Sequence, residues 1–506
     1  MTDIKGRMTT PNSASPRLDA SICLPPFLVT RLTIILILPL VLLLSASRSV
    51  ALELTPAPPT PCAIEIIESG SGWPVPLVEL VTTHRLKFIS DNAGRIAIDA
   101  PELMGREVWF DLHGEGYEVA KDGFGYRGRR LRIEPGARHR IEVNRTIVAR
   151  RFGRITGAGL FSESQKLGLE RNWNESGVFG CDSVQNALHD GKMFWVWGDT
   201  TLPGYPLGIF QATAATSSIP KPGSSGVQIP GLPPLRLNLD WFVNSNGAPR
   251  AVVNIPGTGP TWLSGLVSLP DGRGKPRLGA LYAKIKPPLA TYEYGLAEWD
   301  DARAQFERLR ILWRRDTGAT NPPPLPDGHA VLWKDPTGKE WALFGNPFPT
   351  LRCRATFETW QSPESWEPLK PQPVLEGTVE GRKIEVKPHT GAIAYHQGRS
   401  LWVTIFMQSF GKPSAFGELW YAEANAPTGP WGAAVKVLSH ENYTFYNPAL
   451  HPEFSNPSDP VLFFEGTYTR EFSNNPTFTP RYDYNQVLYR LDLMDDVLAP
   501  ARAGGP

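Results

Sequence analysis

Cysteine is scarce in this 506-residue chain: Cys23, Cys62, Cys181 and Cys353 are its four, widely scattered. No C-x-x-C spacing occurs, which excludes a cysteine-based zinc site. Cys23 precedes the expected leader cleavage point, and the remaining three cannot form a complete disulfide framework. Cys181, beside Asp182, is a conceivable nucleophile, although free cysteine more commonly serves as a small buried residue. An excess of charge is also missing. The net charge of +1 excludes a general nucleic-acid binder, whose affinity rests on a basic surface. The basic clusters within residues 127–132 and 150–154 read as solvated faces or inter-domain edges. Long helix-period stretches are few, and no acidic loop has the usual calcium spacing. Neither a metal nor a cofactor is expected.

Proline (50), glycine (47) and tryptophan (16) are plentiful. With so few helical patterns, this predicts a large all-β protein rich in turns, and the length suggests roughly two or three domains. Residues 1–51 read as a secretory signal or N-terminal anchor. Residues 32–44 are apolar except for Thr33 and Pro39, they follow Arg31, and small residues stand at Ser49 and Ala51. That core is shorter than the ~20 residues of a spanning helix. The expected location is secreted or periplasmic, with membrane attachment only if the segment stays uncleaved. Residues 52–61, rich in proline, read as a stiff linker.

Residues 62–148 predict a small antiparallel β-sandwich. Period-two alternation marks strands at 63–67, 75–81, 94–98, 108–112 and 138–144. Turns fall at Asp91-Asn92-Ala93-Gly94 and Gly114-Glu115-Gly116-Tyr117. The Val75-Pro76-Leu77-Val78 step, the Ser90-Asp91-Asn92-Ala93-Gly94 turn and the Gly116-Tyr117 pair resemble the transthyretin-like or carboxypeptidase-regulatory sandwich. The resemblance implies a spacer or packing partner; no catalytic constellation is visible here.

Residues 149–500 repeat one pattern five times: a strand, a turn, a very apolar strand and a third strand. In the first unit, residues 180–218, two extended runs meet at Asp190-Gly191, a strong hairpin signal, and a third run spans 208–218. The second strands of the units are apolar on both faces, as strands sandwiched between neighbouring sheets would be. Radial repetition of this kind predicts a five-bladed β-propeller following the sandwich.

In a propeller, the starts of the inner strands converge on the axis. The repeat register brings Asp182, Trp262, His329, His389, Tyr446 and Asn447 there. Ends of second strands add Asp199, Lys284, Asn346, Gln408 and Glu465, and connections to third strands add Glu293 and Arg354. Such a mixture of carboxylates, imidazoles, amides and aromatic faces (Trp197, Trp262, Tyr446) suits a hydroxyl-rich ligand, a polysaccharide or oligosaccharide. An aspartate in an apolar strand costs free energy unless its charge is satisfied or used.

The sequence Gly180-Cys181-Asp182, Asp190-Gly191, Gly198-Asp199-Thr200 and Ala215-Thr216-Ser217 resembles five-bladed propeller glycosidases of the arabinanase type. The match is good over one blade and in outline elsewhere, so the substrate does not transfer. The resemblance implies a glycoside hydrolase with Asp182 and Asp199 as its catalytic pair. Such hydrolysis needs one protonated and one ionised carboxylate; Glu293 and Glu465 are reserve acids. Plainer roles stand beside these: an Asx hydrogen bond closing a turn at Asp199, a backbone anchor at Asp182, structural hydrogen bonds at His329 and His389. A polysaccharide lyase is the alternative if a base meets a cation such as Lys284 or Arg354, and a non-catalytic glycan-binding propeller is another.

Overall fold

The computed structural model describes residues 60–219, 234–317, 321–411, 415–440, 443–476, 481 and 483–502. The leader and linker, up to residue 59, lie outside the described residues.

Two four-stranded sheets form the sandwich. One is ordered Arg95–Ile98, Cys62–Glu68, Arg138–Arg145, Tyr117–Glu118; the other Lys87–Ile89, Glu79–Thr82, Arg106–His113, Gly128–Ile133. The alternation in Cys62–Glu68 appears as alternating burial, with Ile64 and Ile66 packed on Leu80, Ile96, Phe110 and Val143. The pairing is not wholly antiparallel, because Cys62–Glu68 runs parallel to Arg138–Arg145. The expected strand at 75–81 shrinks to Glu79–Thr82, since Pro76 has no N–H to give a ladder. The basic cluster of residues 127–132 falls on Gly128–Ile133, whose arginines face outward between buried ends.

Five sheets follow, each built on four antiparallel strands, and in the second Val253–Asn254 adds a short fifth strand in parallel. Blade I comprises Val184–His189, Lys192–Trp197, Thr213–Ser217 and Asp240–Trp241; blade II, Thr261–Pro270, Pro276–Lys286, Ala290–Asp300 and Gln305–Arg314. Blade III comprises His329–Lys334, Glu340–Gly345, Pro349–Arg354 and Glu367–Pro368; blade IV, Pro388–His396, Leu401–Gln408, Glu418–Ala424 and Val435–Ser439. Blade V has Thr444–Leu450, Val461–Thr469 and Asn485–Asp492, and takes its outer strand, Arg150–Arg154, from the start of the repeat region. Each blade's first strand neighbours the first strand of the next, and blade V's returns to blade I's. All five first strands line one cavity of about 260 Å³. Sheets arranged around a shared cavity, with first and last closed by one strand, are a five-bladed β-propeller. The second strands are almost entirely buried, in blade V from end to end, because each lies between neighbouring blades.

The ring closure decides between the two readings of residues 150–154: they form an inter-domain edge, not a solvated face. Arg151 and Arg154 are each 2% exposed. Arg151 Nε and Nη1 donate to the carbonyls of Pro76 and Glu115, and the Tyr117 hydroxyl accepts the Arg151 N–H. Asn92, in the sandwich turn, donates from Nδ2 to the Arg154 carbonyl (3.0 Å) and accepts the Arg154 N–H at Oδ1 (2.9 Å). Glu68 accepts two hydrogen bonds of 2.8 Å from the Arg150 guanidinium. The sandwich thus grips the strand that closes the ring, and the described residues form one compact unit.

Candidate functional site

The Asp190-Gly191 turn has φ of 46° and 74°, the left-handed pair of a two-residue hairpin, and it sets Val184 opposite Trp197 and His189 opposite Lys192. That register carries the chain ends just beyond both strands to the front of the ring, where inner strands begin. There the Asp182 N–H donates to the Asp199 carbonyl (2.9 Å) and the Gly198 N–H to the Asp182 carbonyl (2.9 Å). The two aspartates are therefore fixed to each other through their backbones. Gly180 is required just before them: a Cβ there would stand 2.4 Å from the Tyr484 carbonyl.

Neighbouring blades complete the frame. The Ser183 N–H donates to Thr467 Oγ1 (3.0 Å), and Gln486 Nε2 donates to the Cys181 carbonyl and to Thr467 Oγ1, both at 3.0 Å. The Asn447 amide donates to Ser183 Oγ and its N–H to Thr390 Oγ1 (3.3 Å), joining blade V to its neighbours, blades I and IV. Ser183, Asn447 and Tyr484 all have positive φ, at 28°, 52° and 61°. Non-glycine residues held in that region cluster at functional sites, where surrounding contacts over-determine them.

The two carboxyls sit in different surroundings. Asp199 is 5% exposed, and burial pushes its pKa up to about 7; the indole N–H of Trp262 opposes this, while Asp182 and Glu471 add to it. Trp262 Nε1 donates to Asp199 Oδ1 at 2.9 Å. Asp182 is also raised by burial, but three hydroxyls favour its charged form: Ser183 Oγ donates to Oδ1 at 2.6 Å, and Tyr446 and Tyr484 hydrogen-bond to the same carboxylate. A third carboxyl, Glu471, opens to solvent and is pushed up by partial desolvation and then by Asp182. Burial and then the nearby Asp182 charge raise both tyrosines.

The structure brings Asp182, Asp199, Trp262, Tyr446 and Asn447 together and sets the other expected residues apart. Glu293 accepts from Tyr282 Oη, Arg308 Nη2 and Arg314 Nε, each at 2.7 Å, so its pKa is lowered despite burial and it serves as the ion-pair centre of blade II. Glu465 is wholly buried in the middle of its strand, 2.7 Å from His451 Nε2. Lys284, 2% exposed, donates to the carbonyls of Ile255, Gly257 and Gly259 and to Thr261 Oγ1. Arg354 ends a third strand opposite Trp341, at the rear of blade III, and lies over that indole.

Trp197, 1% exposed, stacks between Trp195 and Trp241 in the core of blade I. Asn346 accepts the Gly391 N–H at 2.8 Å and ties blade III to blade IV. The Gln408 carbonyl oxygen is buried at the end of its strand. His329 lines the axial cavity, and burial, aided by His451, drops its pKa to about 4. His389 is exposed against the ring of Phe416. Cys181 is buried, its thiol pushed well above the usual range by desolvation, which leaves it unsuited to attack.

Glu471 and Tyr484 were missed. Both lie in the connection between the second and third strands of blade V, which carries no period-two signal. The Asp483-Tyr484 step just before the strand Asn485–Asp492 was the available hint.

No family model matches the chain, and no curated protein matches it. Among solved structures, the chain is similar to the GH43_1 enzyme from Xanthomonas citri complexed with xylose, at 10% identity and TM-score 0.34, over 62% of this chain and 86% of that one. It is also similar to an exo-1,5-alpha-L-arabinanase from a bovine ruminal metagenomic library, at 9% identity and TM-score 0.36, over 63% and 94%. Likenesses this distant carry no weight for fold or chemistry here; the blades and carboxyls are identified from their own geometry.

Proposed function

We propose that the protein is a glycoside hydrolase acting on a polysaccharide or oligosaccharide, with Asp199 as general acid and Asp182 as its ionised partner. One observation carries the reading: two aspartates linked through their backbones at the front of the axis differ in their partners, a single indole N–H on Asp199 and three hydroxyls on Asp182. Asp199, titrating near 7, holds a proton at neutral pH that it can deliver to a leaving oxygen, and an acid with a pKa near working pH is the most effective donor. Trp262 occupies Oδ1, so the proton belongs on Oδ2. Asp182 receives three hydroxyl hydrogen bonds that favour its charged form against the upward push of burial, and as the carboxylate it would activate water or attack the anomeric carbon. The lyase alternative needs a cation beside the base, and both residues considered for that role, Lys284 and Arg354, are engaged elsewhere. Export to the outside or periplasm is part of the proposal and rests on residues 1–51 alone.

The test is reducing-end release from a panel of plant, algal and bacterial polysaccharides. Wild type should release sugar, and Asp182→Asn and Asp199→Asn should each fall by about 10²-fold or more. Release that survives both substitutions would overturn the pair. Folded wild type that releases nothing, yet binds a glycan, would make the protein a binding module.

A further inference from the structure

We infer that an aromatic strip on the front of blades IV and V is the track along which a glycan chain extends from the carboxyl pair. The inference rests on the hydrolase reading for where the strip begins, but its own test is separable. Tyr446, hydrogen-bonded to Asp182, makes an edge-on contact with Phe472 at 5.9 Å between ring centroids. Phe472 meets Phe416 edge-on at 5.5 Å. Phe416 in turn lies 6.4 Å from Phe410 and 4.8 Å from the imidazole of His389. Four aromatic side chains thus run continuously outward from the carboxylate, with His389 at their flank.

Two features set this strip apart from incidental surface. Phe410 is 79% exposed and Phe472 58%, although phenylalanines placed only for stability would be turned inward. Both also have left-handed backbones, φ 59° and 62°, a conformation that bulky residues rarely adopt. Strain of this kind, held at both of the strip's exposed rings, marks positions kept for what they present. The occupant must be continuous with whatever reaches Asp182. Apolar ring faces beside hydroxyl and carboxylate groups suit sugar rings, which pair C–H faces with polar edges. A substrate confined to the pair would not reach Phe410, so the strip selects chains of several sugars over a single glycoside.

Native gels cast with soluble arabinan, xylan, pectin or alginate provide the first test. Wild type and Asp199→Asn should be retarded alike by at least one polymer. Phe410→Ala and Phe472→Ala should each weaken that binding by about tenfold, while Phe410→Trp and Phe472→Tyr should recover it. On a hydrolysed polymer, kcat/KM should fall at least tenfold further in the alanine variants than on the matching aryl monoglycoside. Four polymers without effect on folded wild type, or alanine variants that bind as wild type does, would overturn the strip. So would equal losses on polymer and monoglycoside, which would mark the rings as structural. If binding depends on the rings while no sugar is released, the strip stands and the hydrolase reading falls.

Discussion

Asp199 couples chemistry to stability. The folded carboxyl titrates near 7, against an ordinary value near 4 in the unfolded chain. Between those values the native state holds a proton that the unfolded state has released, so stability falls as pH rises through that window, by up to ~4 kcal/mol. Asp199→Asn should therefore gain on wild type in urea unfolding at pH 8 and lose the advantage below pH 4. Activity that depends on the protonated acid should decline above pH ~7. Asp182 gives the opposite limb. Tyr484→Phe removes a hydroxyl that favours its carboxylate, so the acid limb of the pH–rate profile should move to higher pH. Glu465 provides the contrast: its replacement by leucine leaves the buried His451 imidazole without its partner and should cost about 1–3 kcal/mol, visible in melting more than in catalysis.

Among the elements, the strands were legible where two faces differ or both are buried. The hairpin at 184–197 and the second strands carry their burial in their composition. Other elements were not legible. The third strand of blade I is Thr213–Ser217, shorter than the 208–218 run, because Thr200–Leu202 and Tyr205–Ile209 leave the blade as a separate hairpin paired with Gly180–Cys181. The closing strand was hidden for another reason: its arginines look solvated in sequence, yet Arg151 is buried against the carbonyls of Pro76 and Glu115, Arg154 against those of Ala158 and Arg481, and Arg150 is paired with Glu68. Asn92→Ala removes both hydrogen bonds to Arg154 and should lower stability by about 2 kcal/mol in thermal unfolding, with the site residues untouched.

At the scale of the molecule, the sandwich is a clamp on the ring. Blade V's last pairing joins residues more than 300 apart in sequence, as Val487 opposite Arg154 does, so closing it carries a loop-closure entropy that local contacts do not offset. The grip of Asn92, Tyr117 and Glu68 on Arg150–Arg154 holds that strand ready. A chain starting at Ala149 should accordingly melt well below the intact protein and lose activity along with its cooperative transition, readings taken together from calorimetry and sugar release. An equally stable ring without the sandwich would refute this role.

The sequence by itself determined the all-β class, the five-fold repeat and the two aspartates flanking one hairpin, because strand periodicity, Asp-Gly turns and doubly apolar strands are local properties. Only the tertiary structure decided which polar residues share a site. Glu293, Glu465, Lys284 and Arg354 are expected from the repeat to stand with Asp182 and Asp199, yet each is engaged by a partner far along the chain or on another strand, and sequence spacing does not encode such partners. Glu471, Tyr484 and the strained phenylalanines stand in connections without periodicity, and ring closure alone brings blade V beside blade I, where their chemistry meets the pair.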